Sequence, residues 1–520
     1  MKRDFSSLEG QKFDLLVCGG GIYGAWTAYD AALRGLNVAV VEQGDWACAT
    51  SSSSSKLIHG GLRYLETYDF KMVRKALAER KILLDMAPHR VWPMRFGVPV
   101  YTNSRIGTLR LKAGLMLYDV LAGLPPAPMR HRYFKKISFS EHFPSLETSR
   151  LDGGFSYGDA QTDDARLVLE LISGAMDAGA VCVNYCQQVD WLETNGQLNG
   201  VKVVDVLTGD TAVISARQIV NTTGLWIADT EQGREWCRLS KGIHLVMPPI
   251  LGADALLLTA QSDGRVFFLI PWYGMTLLGT TDSDYQGDLE HVEVKQEETD
   301  YLLTEANHYL GSSWTREDVV GSYAGVRVMQ HSDESAPSAV SREWDLKATE
   351  NGMHYSIGGK ITSARVGAET MVDTVCSKLS VGTKCSTSKR LFPWAPQQDY
   401  SKWSSDMVAQ AIKLGIDQEA AMWLARRHGK RIQEVLSKVE LDAELAKRIT
   451  PSLPFIYADL LFCASEEMVI HLRDLLRRRI PLLILCKLSE NDLHRIATMV
   501  APQMGWDEHA MQIEVVACLQ

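Results

Sequence analysis

The chain reads as an α/β protein with a nucleotide-binding βαβ unit at its start, a mostly antiparallel sheet interleaved with it, and a helical domain at its end. Three observations predict this. An apolar run, Phe13 to Cys18, passes directly into Gly19-Gly-Gly21-Ile22-Tyr-Gly24, and a second run, Asn37 to Val41, ends on Glu42. Strand-like segments separated by turn residues recur between Val181 and Thr281. After Leu391-Phe-Pro-Trp-Ala-Pro396 the composition shifts to helix formers with regular apolar spacing, so 400 to 520 should be helical.

Each part of the first unit has a mechanical reason. Gly19 permits the tight strand-to-helix turn, Gly21 lets backbone approach a pyrophosphate, and Gly24 lets helix and strand pack closely. The pyrophosphate then sits on the helix N-terminus, where unpaired N–H groups and the positive end of the dipole favour an anion. Glu42 falls where a carboxylate accepts hydrogen bonds from a ribose hydroxyl. The alternative is a glycine-rich turn in an ordinary α/β domain.

Next come Ala49-Thr50, the serines 51 to 55, and Lys56-Leu-Ile-His59-Gly-Gly61-Leu-Arg63-Tyr64. A serine run is commonly a linker. Here it follows the second strand, so the hydroxyls of Thr50, Ser54 and Ser55, with Lys56, are placed to bind phosphate or cofactor oxygens. Tyr68 to Met86 has the spacing of a surface helix. Residues 103 to 136 carry seven Lys or Arg against one acid, Asp119, around the apolar stretch Ala113 to Leu124. Such a segment lies in a membrane interface or forms a core helix with solvated basic flanks. Strands are expected at 181–185, 198–206, 212–223, 242–247, 265–270 and 276–281. The third of these ends in Thr223-Gly224, bringing a second backbone turn to the cofactor.

Composition narrows the function. The 520 residues, 46% hydrophobic and 22% charged, suffice for two or three domains with buried cores. A net charge of −9 excludes a general nucleic-acid binder, which needs a basic surface. The ten cysteines include no C-x-x-C pair, so neither an iron–sulfur cluster nor a structural zinc is expected, and free thiols in a reduced cytoplasm are. No secretory signal and no apolar run long enough to span a bilayer is found, so the chain is expected to stay inside the cell.

Four basic or titratable side chains stand beside glycines: His59 and Arg63, Arg327 in Gly325-Val-Arg, and Lys360 in Gly358-Gly359-Lys-Ile361-Thr362. Glycine lets backbone come close to a ligand while its neighbour points at it. Two arginine forks and a lysine suit a small anion, phosphate rather than carboxylate. Singly, each is equally at home in a surface ion pair.

With these motifs in hand, the sequence resembles the FAD-dependent glycerol-3-phosphate dehydrogenases of the D-amino-acid-oxidase-like flavoproteins. The resemblance spans about 12 to 380, and the tail resembles that family's C-terminal domain. It is carried most specifically by Cys48 to Leu65, and also by Trp92-Pro-Met-Arg-Phe, Tyr118-Asp, Asp163-Asp-Ala-Arg-Leu167, Ile270-Pro-Trp272, Gly279-Thr-Thr-Asp282, Tyr323-Ala-Gly-Val-Arg327 and Gly358 to Thr362. It implies a Rossmann-type FAD-binding domain (12–70, 146–226, 321–385), a substrate domain (71–145, 227–320) with a membrane-facing segment at 103–136, and a helical domain at 393–520. It further implies noncovalent FAD, oxidation of sn-glycerol 3-phosphate to dihydroxyacetone phosphate, transfer of electrons to quinone on the inner face of the cytoplasmic membrane, and a homodimer.

Carried over by position, FAD contacts are Gly19, Gly21, Ile22, Gly24, Glu42, Thr50, Ser54, Ser55, Lys56, His59, Gly61, Gly224, Gly359, Lys360, Ile361 and Thr362. Arg63, Arg327 and Lys360 hold the phosphate and the reacting oxygen, and Tyr64 and His244 line the pocket. His244 is the first choice of general base and His59 the second. Val328-Met329 and Leu225 stand where the family usually has proline, which frees backbone angles near Arg327 and the cofactor strand. A larger polyol phosphate such as a tetritol phosphate, a 2-hydroxy acid or amino acid, and a non-catalytic flavin-binding regulator remain alternatives, as does oxygen as acceptor.

Overall fold

The computed structural model describes residues 1–252, 254–331 and 343–519. Strand β1 (Lys12–Cys18), helix α1 (Ile22–Leu33) and strand β2 (Val38–Val41) form the expected unit. Strand β1 pairs in parallel with β2 and with Thr211–Asn221, the latter from Lys12 opposite Ser215 to Cys18 opposite Asn221. A parallel strand is covered on both faces, which is why β1 reads as a continuous apolar run rather than an alternation. Leu15, Leu16 and Val17 are fully buried, each contributing about 1.5–3 kcal/mol. The sheet continues through Met353–Ile357 and Asp345–Ala348 on one side and Val181–Val183 on the other. A meander, Cys186–Thr194 and Gln197–Asp205, attaches to Thr211–Asn221.

Helix α1 packs on Asp164–Asp177 and Ala364–Leu379. Buried Arg34, just past its end, bonds Asp30 at 2.6 Å and Asp373 at 2.5 Å, which fixes α1 to the third helix.

The second sheet has ten strands among the described residues, centred on Val91–Tyr101, Ala255–Thr259, Val266–Trp272, Met275–Gly279 and Cys237–Met247. Leu151–Thr162 pairs with Val91–Tyr101 and Gly321–Gln330 with Cys237–Met247, so both lie in the larger sheet. Tertiary pairing overrides sequence proximity here: Gly321–Gln330 returns across the chain with Val326 opposite Lys241.

Residues 400 to 519 are helical, from Tyr400–Lys413 to Glu508–Leu519. This domain is tied to the others by buried charge: Arg166 donates to Glu467 at 2.9 Å, and Asp45 receives Arg478 at 2.5 Å and Arg479 at 2.9 Å. The apolar segment at 103–136 contains the helix Thr108–Leu121, held on its inner face by buried Leu115 and Tyr118 and carrying exposed Leu109, Met116 and Val120 outside. Among the described residues no helix is long and apolar enough to cross a membrane.

Candidate functional site: a dinucleotide cradle joined to a cationic cavity

The turn after β1 is built for close approach. Gly19 has φ +110°, and a Cβ there would lie 2.6 Å from the Thr222 carbonyl oxygen. A Cβ on Gly24 would lie 1.9 Å from the Gly19 oxygen, so helix and turn meet only without side chains. Helix α1 starts at Ile22, whose N–H donates to the Ser51 hydroxyl at 2.9 Å. A polar group accepting at this N-terminus marks the place where a phosphate oxygen is favoured. Glu42 accepts from the Gly20 N–H at 2.6 Å and the Gly44 N–H at 2.9 Å, bracing the turn. Burial raises its pKa against the pull of those two N–H groups. A carboxylate has about four acceptor positions, which leaves capacity for a ribose hydroxyl.

These groups line a cavity of about 470 Å³ that runs from the glycine turn to Tyr64, Arg327 and Lys360. Of the expected contact residues, Gly19, Gly21, Ile22, Glu42, Thr50, Ser54, Ser55, His59, Gly61, Arg63, Gly224, Gly359 and Ile361 also line it. The serine run crosses it as a tethered loop. The Thr50 hydroxyl donates to the Val326 carbonyl at 2.6 Å, and Ser54 donates to Asp164 at 2.7 Å.

Four expected residues are placed elsewhere. Gly24 lies beneath the turn, in the packing role its spacing suggests. Thr362 is fully buried and accepts from the His59 N–H at 3.2 Å, orienting that loop. Lys56 corrects the expectation of a cofactor contact: its ammonium is buried, 2.6 Å from Asp164 and 3.1 Å from the Ser52 carbonyl, and 4.7 Å from the Trp272 ring. It anchors the serine loop, since an unpaired ammonium could not be buried there. His244 is likewise not a wall of the cavity. It is 1% exposed in Cys237–Met247, stacked on Tyr323 with ring centroids 4.9 Å apart, and its Nε2 lies 2.9 Å from the Ser55 hydroxyl. Burial first, then the charges of Arg327 and Lys56, holds its pKa well below the usual histidine range.

At the far end of the cavity the cations converge. Arg327 reaches Thr280 Oγ1 at 2.9 Å, Asp282 at 3.3 Å and the Thr281 carbonyl at 3.4 Å. Lys360 Nζ stands 3.7 Å from the Tyr64 ring centroid and 3.1 Å from Met72 Sδ. Arg265, which the sequence reading passed over, also lines the cavity and donates to the Asp282 carbonyl. Its signal was present: Asp263-Gly264-Arg265 is a fourth glycine-flanked cation at the start of a strand. Ser51 carried no signal that separated it from its four neighbours. Asp164 stood within a quoted motif, and its pairing with Lys56 is legible only in space.

The cradle fits a dinucleotide cofactor, because the side-chain-free backbone of Gly19 and Gly21 lines the cavity at the N-terminus of α1, whose positive end favours an anion. Comparison with known proteins agrees. Residues 14–370 match the FAD dependent oxidoreductase family, and 385–511 match the C-terminal domain of alpha-glycerophosphate oxidase. The chain is 36% identical over 504 residues to a glycerol-3-phosphate dehydrogenase of Synechocystis sp., spanning 92% of this chain and 90% of that protein. It is 32% identical to the aerobic glycerol-3-phosphate dehydrogenase of Staphylococcus aureus over 91% of this chain and 87% of that one. The crystal structure of the Bacillus halodurans glycerol-3-phosphate dehydrogenase complexed with FAD superposes with a TM-score of 0.79 at 28% identity, covering 98% of this chain and 94% of that one. The chain therefore belongs to the FAD-dependent glycerol-3-phosphate dehydrogenase family, and its cofactor is FAD.

Proposed function

We propose that the protein oxidises sn-glycerol 3-phosphate to dihydroxyacetone phosphate and passes the electrons to a quinone at the inner face of the cytoplasmic membrane. The observation that carries this reading is the convergence of Arg63, Arg265, Arg327 and Lys360 on the cavity that begins at the cofactor turn. A phosphate dianion needs several cations, and arginine forks match its oxygens. Arg327 and Arg63 hold the phosphate, while Lys360 stabilises the alkoxide as the carbinol loses its proton. Bound along the Gly19–Gly21 turn and the serine loop, FAD would supply the hydride acceptor for this oxidation.

The proton leaves through Ser55 to His244. Ser55 lines the cavity and His244 is a neutral acceptor behind it, so the histidine acts through the hydroxyl rather than touching substrate. A second reading rests on His59, which faces the cavity directly. The two separate by pH and mutation. Because the His244 pKa is depressed, the residue stays in its basic form as pH falls through about 6.5, the ordinary histidine value. At saturating substrate the kcat profile should therefore show no acid limb near that pH, and Ser55→Ala should lower kcat as His244→Gln does. An acid limb near 6.5 that disappears in His59→Gln assigns the base to His59 instead. Substrate identity is tested by anaerobic mixing with sn-glycerol 3-phosphate: bleaching of the oxidised flavin supports the reading, and a flavin reduced only by a larger polyol phosphate overturns it.

The membrane part rests on the helix Thr108–Leu121 and the segment after it. Exposed Leu109, Met116, Val120, Tyr133 and Ile137 lie among Arg110, Lys112, Arg130, Arg132, Lys135 and Lys136. Each cation near an anionic surface contributes about 1 kcal/mol. Neutralising Arg130, Arg132, Lys135 and Lys136 should release the protein from anionic vesicles in a sedimentation assay and leave dye-linked turnover unchanged. Undiminished sedimentation would refute this assignment.

A further inference from the structure

A second cavity, of about 930 Å³, lies between the helix Thr108–Leu121 and the strands Val91–Tyr101 and Ala255–Thr259. Leu62, Arg63, Leu257 and Val266 border both cavities, so only a thin wall separates this one from the catalytic space. A small polar substrate has no use for a second, larger chamber. The volume is in the range of sites for mid-sized organic ligands.

The cavity is graded in polarity. Its apolar wall is supplied by half-buried Leu62, Leu65, Leu111 and Leu257. Exposed Arg105, Arg110 and Arg150 line the cavity beside the carboxylates of Glu66, Glu147 and Asp263. Arg105 is paired with Glu66 at 2.8 Å, and Arg150 lies in the field of Glu147, but neither Arg110 nor Arg150 forms an ion pair within 4 Å among the described residues. The lining glycine Gly114, in the middle of the helix, adds an independent observation. A Cβ there would meet nothing within 4 Å. Glycine is the weakest ordinary helix former, so its presence lowers helix stability and leaves room a larger side chain would occupy.

We infer that this cavity binds an anionic single-chain amphiphile of the fatty-acid class, its chain against Leu62, Leu65, Leu111 and Leu257 and its carboxylate at Arg110 and Arg150. An apolar interior with cations at the rim fixes this direction, since the charged head stays hydrated while the chain leaves water. The exposed Leu109, Met116 and Val120 beside the mouth give the chain an apolar path from a lipid surface.

The test is calorimetric titration of the FAD-loaded full-length protein with oleate, below its aggregation concentration, beside oleyl alcohol and decylbenzoquinone. Oleate should bind once per chain with a micromolar Kd. Gly114→Phe, which fills the cavity from a position with open space, should weaken it at least tenfold, with dye-linked activity retained to report an intact fold. Arg110→Glu with Arg150→Glu should weaken oleate about tenfold and leave oleyl alcohol unchanged. Absence of saturable oleate binding, or equal binding by Gly114→Phe, overturns the site. Decylbenzoquinone binding that is blocked by Gly114→Phe while oleate does not bind overturns the ligand class and gives the cavity to the acceptor.

Discussion

Replacing Arg327 by alanine should lower kcat/KM for sn-glycerol 3-phosphate by roughly 10² to 10⁴, the scale of a charge-assisted contact used in the transition state. The expected loss follows from its position. Arg327 lies on Gly321–Gln330, opposite Ser240, with its guanidinium turned across Thr280 toward Asp282 at the cationic end of the cavity. Its side chain is 23% exposed against 7% for Asp282, so it sits at the cavity wall and its removal should spare the fold. Flavin absorbance and FAD content should be unchanged, since the glycine turn and serine loop are untouched. The partition between constants locates the contact. A rise in KM alone marks an anchor that holds substrate and transition state equally, and a fall in kcat marks an interaction gained as the alkoxide forms. Arg327→Lys should recover little, because a point charge does not reproduce the fork. Kinetics within threefold of the parent enzyme would remove Arg327 from the phosphate site.

What the sequence revealed and concealed divides along contact distance. The β1–α1–β2 unit is legible because its constraints lie within one short unit: Gly24 must clear Gly19, and the α1–β2 return brings Glu42 back beside Gly20. The glycine-flanked cations were legible for the same reason. Lys56 was misread because its partner Asp164 lies 108 residues away, so its burial had no local sign. His244 did have a sign: it sits between Ile243 and Leu245 in a strand buried on both faces, which is where a histidine packs instead of meeting substrate directly. The membership of Leu151–Thr162 and Gly321–Gln330 was hidden because register across a sheet is set by tertiary packing that no single segment encodes.

The helical tail gave no hint that it reaches the cofactor loop, and the second large effect is expected there. Asp45 follows Glu42 on the loop that leads into the serine run, and its carboxylate is buried between Arg478 and Arg479 of the C-terminal domain. Both arginines come from a single π-helical turn, Leu475–Arg479, a geometry that widens the backbone and directs consecutive side chains to one target. Burial alone would raise the pKa of Asp45, but the two guanidiniums outweigh it and hold the carboxyl below its ordinary range. Among the described residues, Asp45→Ala leaves Arg478 with Asp474 at 2.6 Å and Arg479 with the Glu467 and Met468 carbonyls. Breaking a buried pair in this way costs about 3–5 kcal/mol, because a charge remains without its counterion. The exposed pair Lys81–Asp85, 2.5 Å apart, should give no comparable loss when broken, since water already solvates both groups. Urea unfolding of the two variants therefore measures burial rather than distance. Because Asp45 also ties down the segment between Glu42 and the serine loop, its loss should release FAD at denaturant concentrations below those that unfold the chain. Coincident release and unfolding would show that the tail supports the fold without governing the cofactor loop.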